Sequence, residues 1–185
     1  MRWSLVVALA GLLLSFASPT RAADAAAPAA WQRHEMEFVY LGFTTRYSCE
    51  GLRDKLRALL LASGARPGME VKIRGCPANP GEVTEFPRVH MVFHAAAIAA
   101  DGRARGAEPV SAGWKQVTLA SRQPVALEAG DCELVEQFRD RVLPAFVTRG
   151  LEGEVHCVPH RISGSSYRLR FESLQGAAAG ATATR

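Results

Sequence analysis

The residues of this chain best suited to chemistry are its four cysteines, and their setting repeats. Cys49-Glu50 and Cys132-Glu133 each open a run with helical periodicity. Cys76 and Cys157 each sit near the end of the strand-like run that follows, at nearly the same interval in both stretches. Four cysteines allow three connectivities, and an even count in an exported chain favours bridges over free thiols. The repeated plan selects Cys49 with Cys76 and Cys132 with Cys157. Each bridge would stabilise the fold by about 3 kcal/mol by constraining the unfolded chain. No Cys-x-x-Cys pair points to thiol oxidoreductase chemistry, so the cysteines read as staples.

The five histidines, His34, His90, His94, His156 and His160, are the next candidates. His90 and His94 are four apart on a strand, hence on one face but about 13 Å apart along it, too far to chelate one ion by themselves. A copper or zinc site therefore needs a neighbouring strand to bring His156 or His160 alongside, with Met36 or Met91 as additional soft ligands. The plainer reading is surface or core histidines and core methionines.

A third candidate is the loop Thr44-Thr45-Arg46-Tyr47, which with Ser48 gathers hydroxyls and a cation at a helix N-terminus, a place where anions bind readily. Its counterpart, Ala129-Gly130-Asp131, is acidic instead. Capping alone accounts for Ser48. No nucleophile elbow, His-Glu-x-x-His helix, Ser-x-x-Lys motif or glycine-rich phosphate loop occurs, and Ser163-Gly164-Ser165-Ser166 reads as a hairpin turn. An enzyme and a bound cofactor are accordingly not expected.

The compartment follows from residues 1–22, read as a secretory signal peptide: Arg2 supplies the positive start, Leu5 to Ala17 the apolar run, and small residues lead to a cleavage point after Ala22 or Ala25. The apolar run is too short to span a bilayer, and no cysteine near the junction offers a lipid attachment point. No stable membrane insertion is expected after cleavage. Removing residues 1–22 takes away Arg2 and Arg21 and no acid, so the formal charge of +4 falls by two. That is too weak a basic bias for nucleic-acid binding.

Positioning the candidates requires the following elements. Residues 23–33 read as a flexible leader and 175–185 as a disordered tail. Between them, 34–100 forms a first β-α-β-β unit, 101–113 a linker and 114–174 a second such unit. Strands are expected over Glu35–Phe43, Met69–Cys76, Arg88–Ile98, Trp114–Ser121, Leu151–Val158 and Tyr167–Leu174 from their alternation. Leu52, Leu56, Leu59 and Leu60 mark the buried stripe of the first helix, capped by Ser48. Leu134, Val135, Phe138 and Val142 mark that of the second, with Asp131 as N-cap and Pro144 near its end.

The economical α+β arrangement is one mainly antiparallel sheet of six strands with both helices on one face and one disulfide per unit. The opposite face then carries Lys72, Arg74, Arg88, His90, His94, His156, Arg168 and Arg170, tempered by Glu70, Glu154 and Glu172. Such a face either keeps the sheet soluble or receives something anionic. The expected protein is periplasmic or secreted, a non-enzymatic binding or assembly module of the cell envelope whose partner is an envelope protein or an anionic glycan. The alternative is a small copper- or zinc-binding protein.

Overall fold

The computed structural model describes residues 27–77, 79, 81–83, 86–98 and 107–177. The signal segment 1–22, residues 23–26 of the leader, 101–106 of the linker and 178–185 of the tail lie outside the described residues. The elements are β1 (Ala27–Val39), α1 (Cys49–Ala62), β2 (Glu70–Arg74), β3 (Arg88–Ile98), β4 (Pro109–Ala120), α2 (Cys132–Arg141), β5 (Thr148–His156) and β6 (Ser166–Gly176). Single 3-10 turns lie at Ala129–Asp131 and Leu143–Ala145.

The strands make one sheet in the order β2-β3-β1-β4-β6-β5, with every neighbouring pair antiparallel. Alternation decides which side of each strand is buried. Val89, Met91 and Phe93 of β3 stand opposite Phe38, Met36 and His34 of β1. Val117 and Leu119 of β4 stand opposite Phe171 and Leu169 of β6. On α1, Leu52, Leu56, Leu59 and Leu60 are fully buried. Leu134, Val135 and Phe138 are buried in the same way on α2, and all join these strand residues in one core. The fold is therefore α+β, with both helices contributing to a single core. Disulfides Cys49–Cys76 and Cys132–Cys157 close the two helix-to-strand segments, and no cysteine is free.

Local chemistry sets the helix ends. Ser48 Oγ accepts the Gly51 amide at 3.1 Å, an N-cap bond. Asp131 occupies the N-cap position of α2, but its side chain makes no cap bond there. It is drawn instead into the buried cluster described below. The helix α2 stops at Arg141, one short turn before Pro144, whose ring cannot continue a helix.

The two halves of the sheet meet in a narrow join. Between β1 and β4 the register runs only from Ala27↔Ala112 to Ala30↔Pro109, after which β1 pairs with β3 alone and β4 with β6 alone. The helices close the gap by reaching across. Gln137 of α2 bonds both the amide and the carbonyl of Leu41, at 3.0 and 3.1 Å, and Arg141 donates to the Val39 carbonyl at 3.1 Å. Reciprocally, Lys55 of α1 donates to the Ala126 carbonyl at 2.9 Å.

That join corrects three expected boundaries. Residues 27–33 belong to β1 rather than to a leader, and Ala29 and Ala30 are buried. Residues 109–113 belong to β4 rather than to a linker, and β6 runs to Gly176, inside the expected tail. The cause is common to all three: where the half-sheets meet, small residues pack, and alanine and glycine carry little strand signal. On the side away from the helices, Trp31 and Trp114 lie against Ala29, Ala96, Ala112 and Leu174. A Cβ on Gly176 would come within 2.5 Å of the Trp31 ring, so only glycine lets that ring settle there. The Arg66 guanidinium lies 5.7 Å from the Trp31 ring and that of Arg149 lies 4.2 Å from the Trp114 ring, both cation–π contacts.

Candidate functional site

Lys72, Arg74, Arg88, His90 and His94 all project from the helix-free side of β2 and β3, with Lys72 opposite His90 and Arg74 opposite Arg88. Arg168 and Arg170 project from the same side of β6, separated from β3 by β1 and β4. Carboxylates interleave with these cations. Lys72 pairs with Glu70 at 2.7 Å, and His90 Nδ1 lies 3.1 Å from Glu37. Arg168 and Arg170 stand opposite Glu154 and Glu152 of β5. The surface alternates in sign, the pattern that keeps a sheet face solvated. Arg74 beside Arg88 leaves a local positive point at the β2 edge.

The strand order parts the histidines. His90 and His94 lie on β3, while His156 ends β5 at the far edge of the sheet and His160 lies in the loop beyond it. Among the described residues no group of three His, Cys, Asp or Glu could hold a metal ion. His34 faces the core and stacks on Phe93 with ring centroids 5.3 Å apart. Burial, and secondarily the charge of His94, lowers its pKa and favours the neutral ring.

The loop after β1 is built around anions that belong to the chain itself. Glu133 Oε2 accepts the amides of Phe43 and Thr44 at 2.8 and 2.9 Å, and Oε1 accepts the Thr44 hydroxyl at 3.2 Å. Thr45 donates its hydroxyl to the Gly130 carbonyl at 2.7 Å. The Tyr47 hydroxyl donates to Asp131 Oδ1 at 2.6 Å, while Oδ2 accepts Lys55 Nζ at 2.7 Å and the Glu128 amide at 2.7 Å. Asp131 is fully buried and both its oxygens are engaged, so the cluster locks the halves together and offers a substrate no acceptor. Burial is the main reason that the Tyr47 and Tyr40 pKa values rise, followed by the charges of Asp131 and Glu133 respectively. Both phenols stay protonated donors.

What the loop does expose is aromatic. A cleft of about 210 Å³ opens where β1 ends and β3 begins, lined by Tyr40, Gly42, Phe43, Arg46, Phe86, Pro87 and His160. Phe43 is 63 % and Phe86 60 % exposed, far outside the usual burial of such rings. Tyr40 forms the buried base, its hydroxyl committed to the Thr45 carbonyl at 2.9 Å. A Cβ on Gly42 would meet the Tyr40 hydroxyl at 1.8 Å, so glycine is what allows the loop to cross that ring. The His160 ring leans on Phe43 with centroids 5.4 Å apart. Phe86 and His160 hold φ values of 52° and 62°, a left-handed backbone that bulky residues rarely adopt and that clusters at ligand sites.

Of the residues singled out from sequence, Arg46 and His160 come together in this cleft, whereas Thr44, Thr45 and Tyr47 turn inward. Sequence reading placed Phe43 in a strand and gave Phe86 no part in a site. The available signals were Gly42 directly before Phe43 and the Phe86-Pro87 pair.

The molecule is thus a two-disulfide α+β protein with one six-stranded sheet and an aromatic cleft at one end of it. Comparison with protein-family models, characterised proteins and solved structures finds no match to this chain. No helix among the described residues is long and apolar enough to cross a membrane.

Proposed function

We propose that this is an exported protein of the periplasm or extracellular space, acting without catalysis as a binding or assembly module of the cell envelope. Its partner docks in the aromatic cleft. The observation that carries this reading is the convergence there of exposed Phe43 with Phe86 and His160, the latter two at positive φ. Each such residue costs about 1–3 kcal/mol, and residues of this kind collect at ligand sites. The two disulfides fit an oxidising compartment. Phe86→benzoylphenylalanine, irradiated in the source cells, should crosslink to a discrete envelope component, while the same probe at Gln116 should not. Crosslinking that is absent, or equal at both positions, removes the cleft as the docking site.

We further propose that the halves are copies of one β-α-β-β unit. Read inward from each edge, the strand orders correspond, β2-β3-β1 and β5-β6-β4. Trp31 and Trp114, Cys49 and Cys132, and Arg66 and Arg149 are separated by the same sequence offset. Equivalent roles predict that Trp31→Ala and Trp114→Ala each lose about 2 kcal/mol, a half-buried ring and its cation–π contact. Urea denaturation showing one of the two to be neutral would break the correspondence.

A further inference from the structure

We infer that the Cys49–Cys76 bridge is a thiol-exchange site, at which a short anionic peptide thiol of the glutathione class is captured as a mixed disulfide on Cys76. The two sulfurs of this bridge sit in different settings. Cys76 is exposed just past the end of β2, whereas Cys49 is buried at the first position of α1. Both line an open groove of about 370 Å³ between the start of α1 and β2. That volume falls within the roughly 300–1,000 Å³ of small-molecule sites.

Exposure decides which sulfur is attacked. An incoming thiolate reaches Cys76 Sγ and forms a new S–S bond with it. The Cys49–Cys76 bond breaks, and its electron pair stays on Cys49 Sγ as a thiolate. In the reverse step Cys49 Sγ attacks Cys76 and expels the captured thiolate. Cys49 opens a fourteen-residue helix, whose positive end favours a thiolate and makes Cys49 the better leaving group. Its N-cap neighbour is the neutral Ser48, and the Glu50 carboxylate that follows is exposed to water. At the other bridge, Cys132 stands between Asp131 and Glu133, two buried carboxylates that oppose a further negative charge, and its partner Cys157 is half-buried. Burial disfavours ionisation of Cys49 and Cys132 alike, so the flanking charges make the difference.

The groove walls select the thiol. β2 is an edge strand with no neighbour on its outer side, and its five residues, Glu70–Arg74, suit a short extended peptide. Strand edges take such peptides by backbone pairing. A peptide lying along β2 carries its sulfur toward Cys76, two residues beyond the strand. Arg53 is engaged by Asp54 and Lys72 by Glu70. The Arg74 guanidinium, in contrast, has no ion pair or side-chain hydrogen bond, and neither has Arg88, which stands directly opposite it on β3. Like charges placed opposite each other across a ladder repel, and a carboxylate on the thiol supplies the missing counter-charge. Glu50 is the carboxylate of the lining and offers a partner for the peptide's ammonium group.

The test exposes the mature, oxidised chain to buffers of reduced and oxidised glutathione, quenches with N-ethylmaleimide and maps peptides by mass spectrometry. The expected adduct carries glutathione on Cys76 and maleimide on Cys49, with Cys132–Cys157 intact. Glutathione diethyl ester has the same peptide and thiol but masked carboxylates. At equal thiolate concentration it should open the bridge about fivefold more slowly than glutathione. Arg74→Glu should erase that margin without changing the rate of the ester. Arg74 is exposed, so this variant should keep the parent's circular dichroism.

Glutathione found on Cys49, or equally on Cys132 or Cys157, overturns the inference. So does opening to the dithiol with no adduct on Cys76, or opening that follows loss of the fold. Equal rates for glutathione and its ester, or a margin that survives in Arg74→Glu, remove the anionic peptide thiol as the ligand and overturn it as well.

Discussion

Glu133 and Phe43 lie on opposite halves of the molecule and meet at 2.8 Å, the carboxylate of the second helix accepting the backbone amide of the loop that follows the first strand. The same oxygen takes the Thr44 amide, so one side chain fixes the backbone beneath the exposed Phe43 ring. Half of the cleft is in this way positioned from across the molecule.

Glu133→Ala should therefore cost about 2–4 kcal/mol, because two partly buried amides lose a charged acceptor. Glu133→Gln keeps one acceptor oxygen and should cost about half as much. Urea denaturation gives both values. Two variants as stable as the parent would mean that the loop is held by something else.

Alkaline conditions should unfold the protein through its buried phenols. The pKa values of Tyr40, Tyr47 and Tyr167 are all raised, chiefly by burial, with Glu133 adding for Tyr40 and Asp131 for the other two. Below the ordinary tyrosine value of about 10, native and unfolded chains hold the same phenolic protons and the contribution is intact. Above it the unfolded chain releases protons that the native state keeps. Stability then falls by as much as about 1.4 kcal/mol per pH unit for each such tyrosine. Tyr47→Phe should be less stable at neutral pH, where Asp131 loses a donor, yet show a shallower decline between pH 10 and 12 as followed by circular dichroism. An unchanged slope would argue that Tyr47 ionises freely in the native protein.

The two disulfides should differ in reducibility. Cys76 is exposed, whereas Cys132 is buried and Cys157 half-buried. A thiol reductant at limiting concentration should open Cys49–Cys76 first, as mass mapping of alkylated peptides would reveal. Each loss should lower stability by about 3 kcal/mol. Simultaneous opening of both bridges would indicate that reduction proceeds through global unfolding.

What could be read from sequence was local or repeated. Leu52, Leu56, Leu59 and Leu60 announce their helix because a periodic stripe depends only on neighbours along the chain. The pairing of Cys49 with Cys76 was readable because Cys132 and Cys157 restate it. The start of β1 was not, since Ala27 to Ala30 become a strand through contact with residues 109–112 and, at Ala29 and Ala30, with Ile98 and Ala97, all far along the chain. Asp131 carries the composition of a cap, yet Tyr47 and Lys55 offer its carboxylate stronger partners that only the tertiary fold supplies. The cleft was hidden most thoroughly. Phe43, Phe86 and His160 come from three separate loops, and nothing in residue type forecasts a left-handed phenylalanine or histidine.

The reciprocal reach of the two helices has a consequence for how the polypeptide can be divided. Gln137 and Arg141 hold the end of β1, Lys55 holds the segment before α2, and one core spans both halves. Assembly is thereby written into surfaces rather than into the peptide link between Ile98 and Ala107. Fragments ending near 100 and beginning near 107, expressed separately and oxidised together, should reconstitute a one-to-one particle with the parent's circular dichroism. Two independently folded, non-associating fragments would show that the halves are neighbours and not complements.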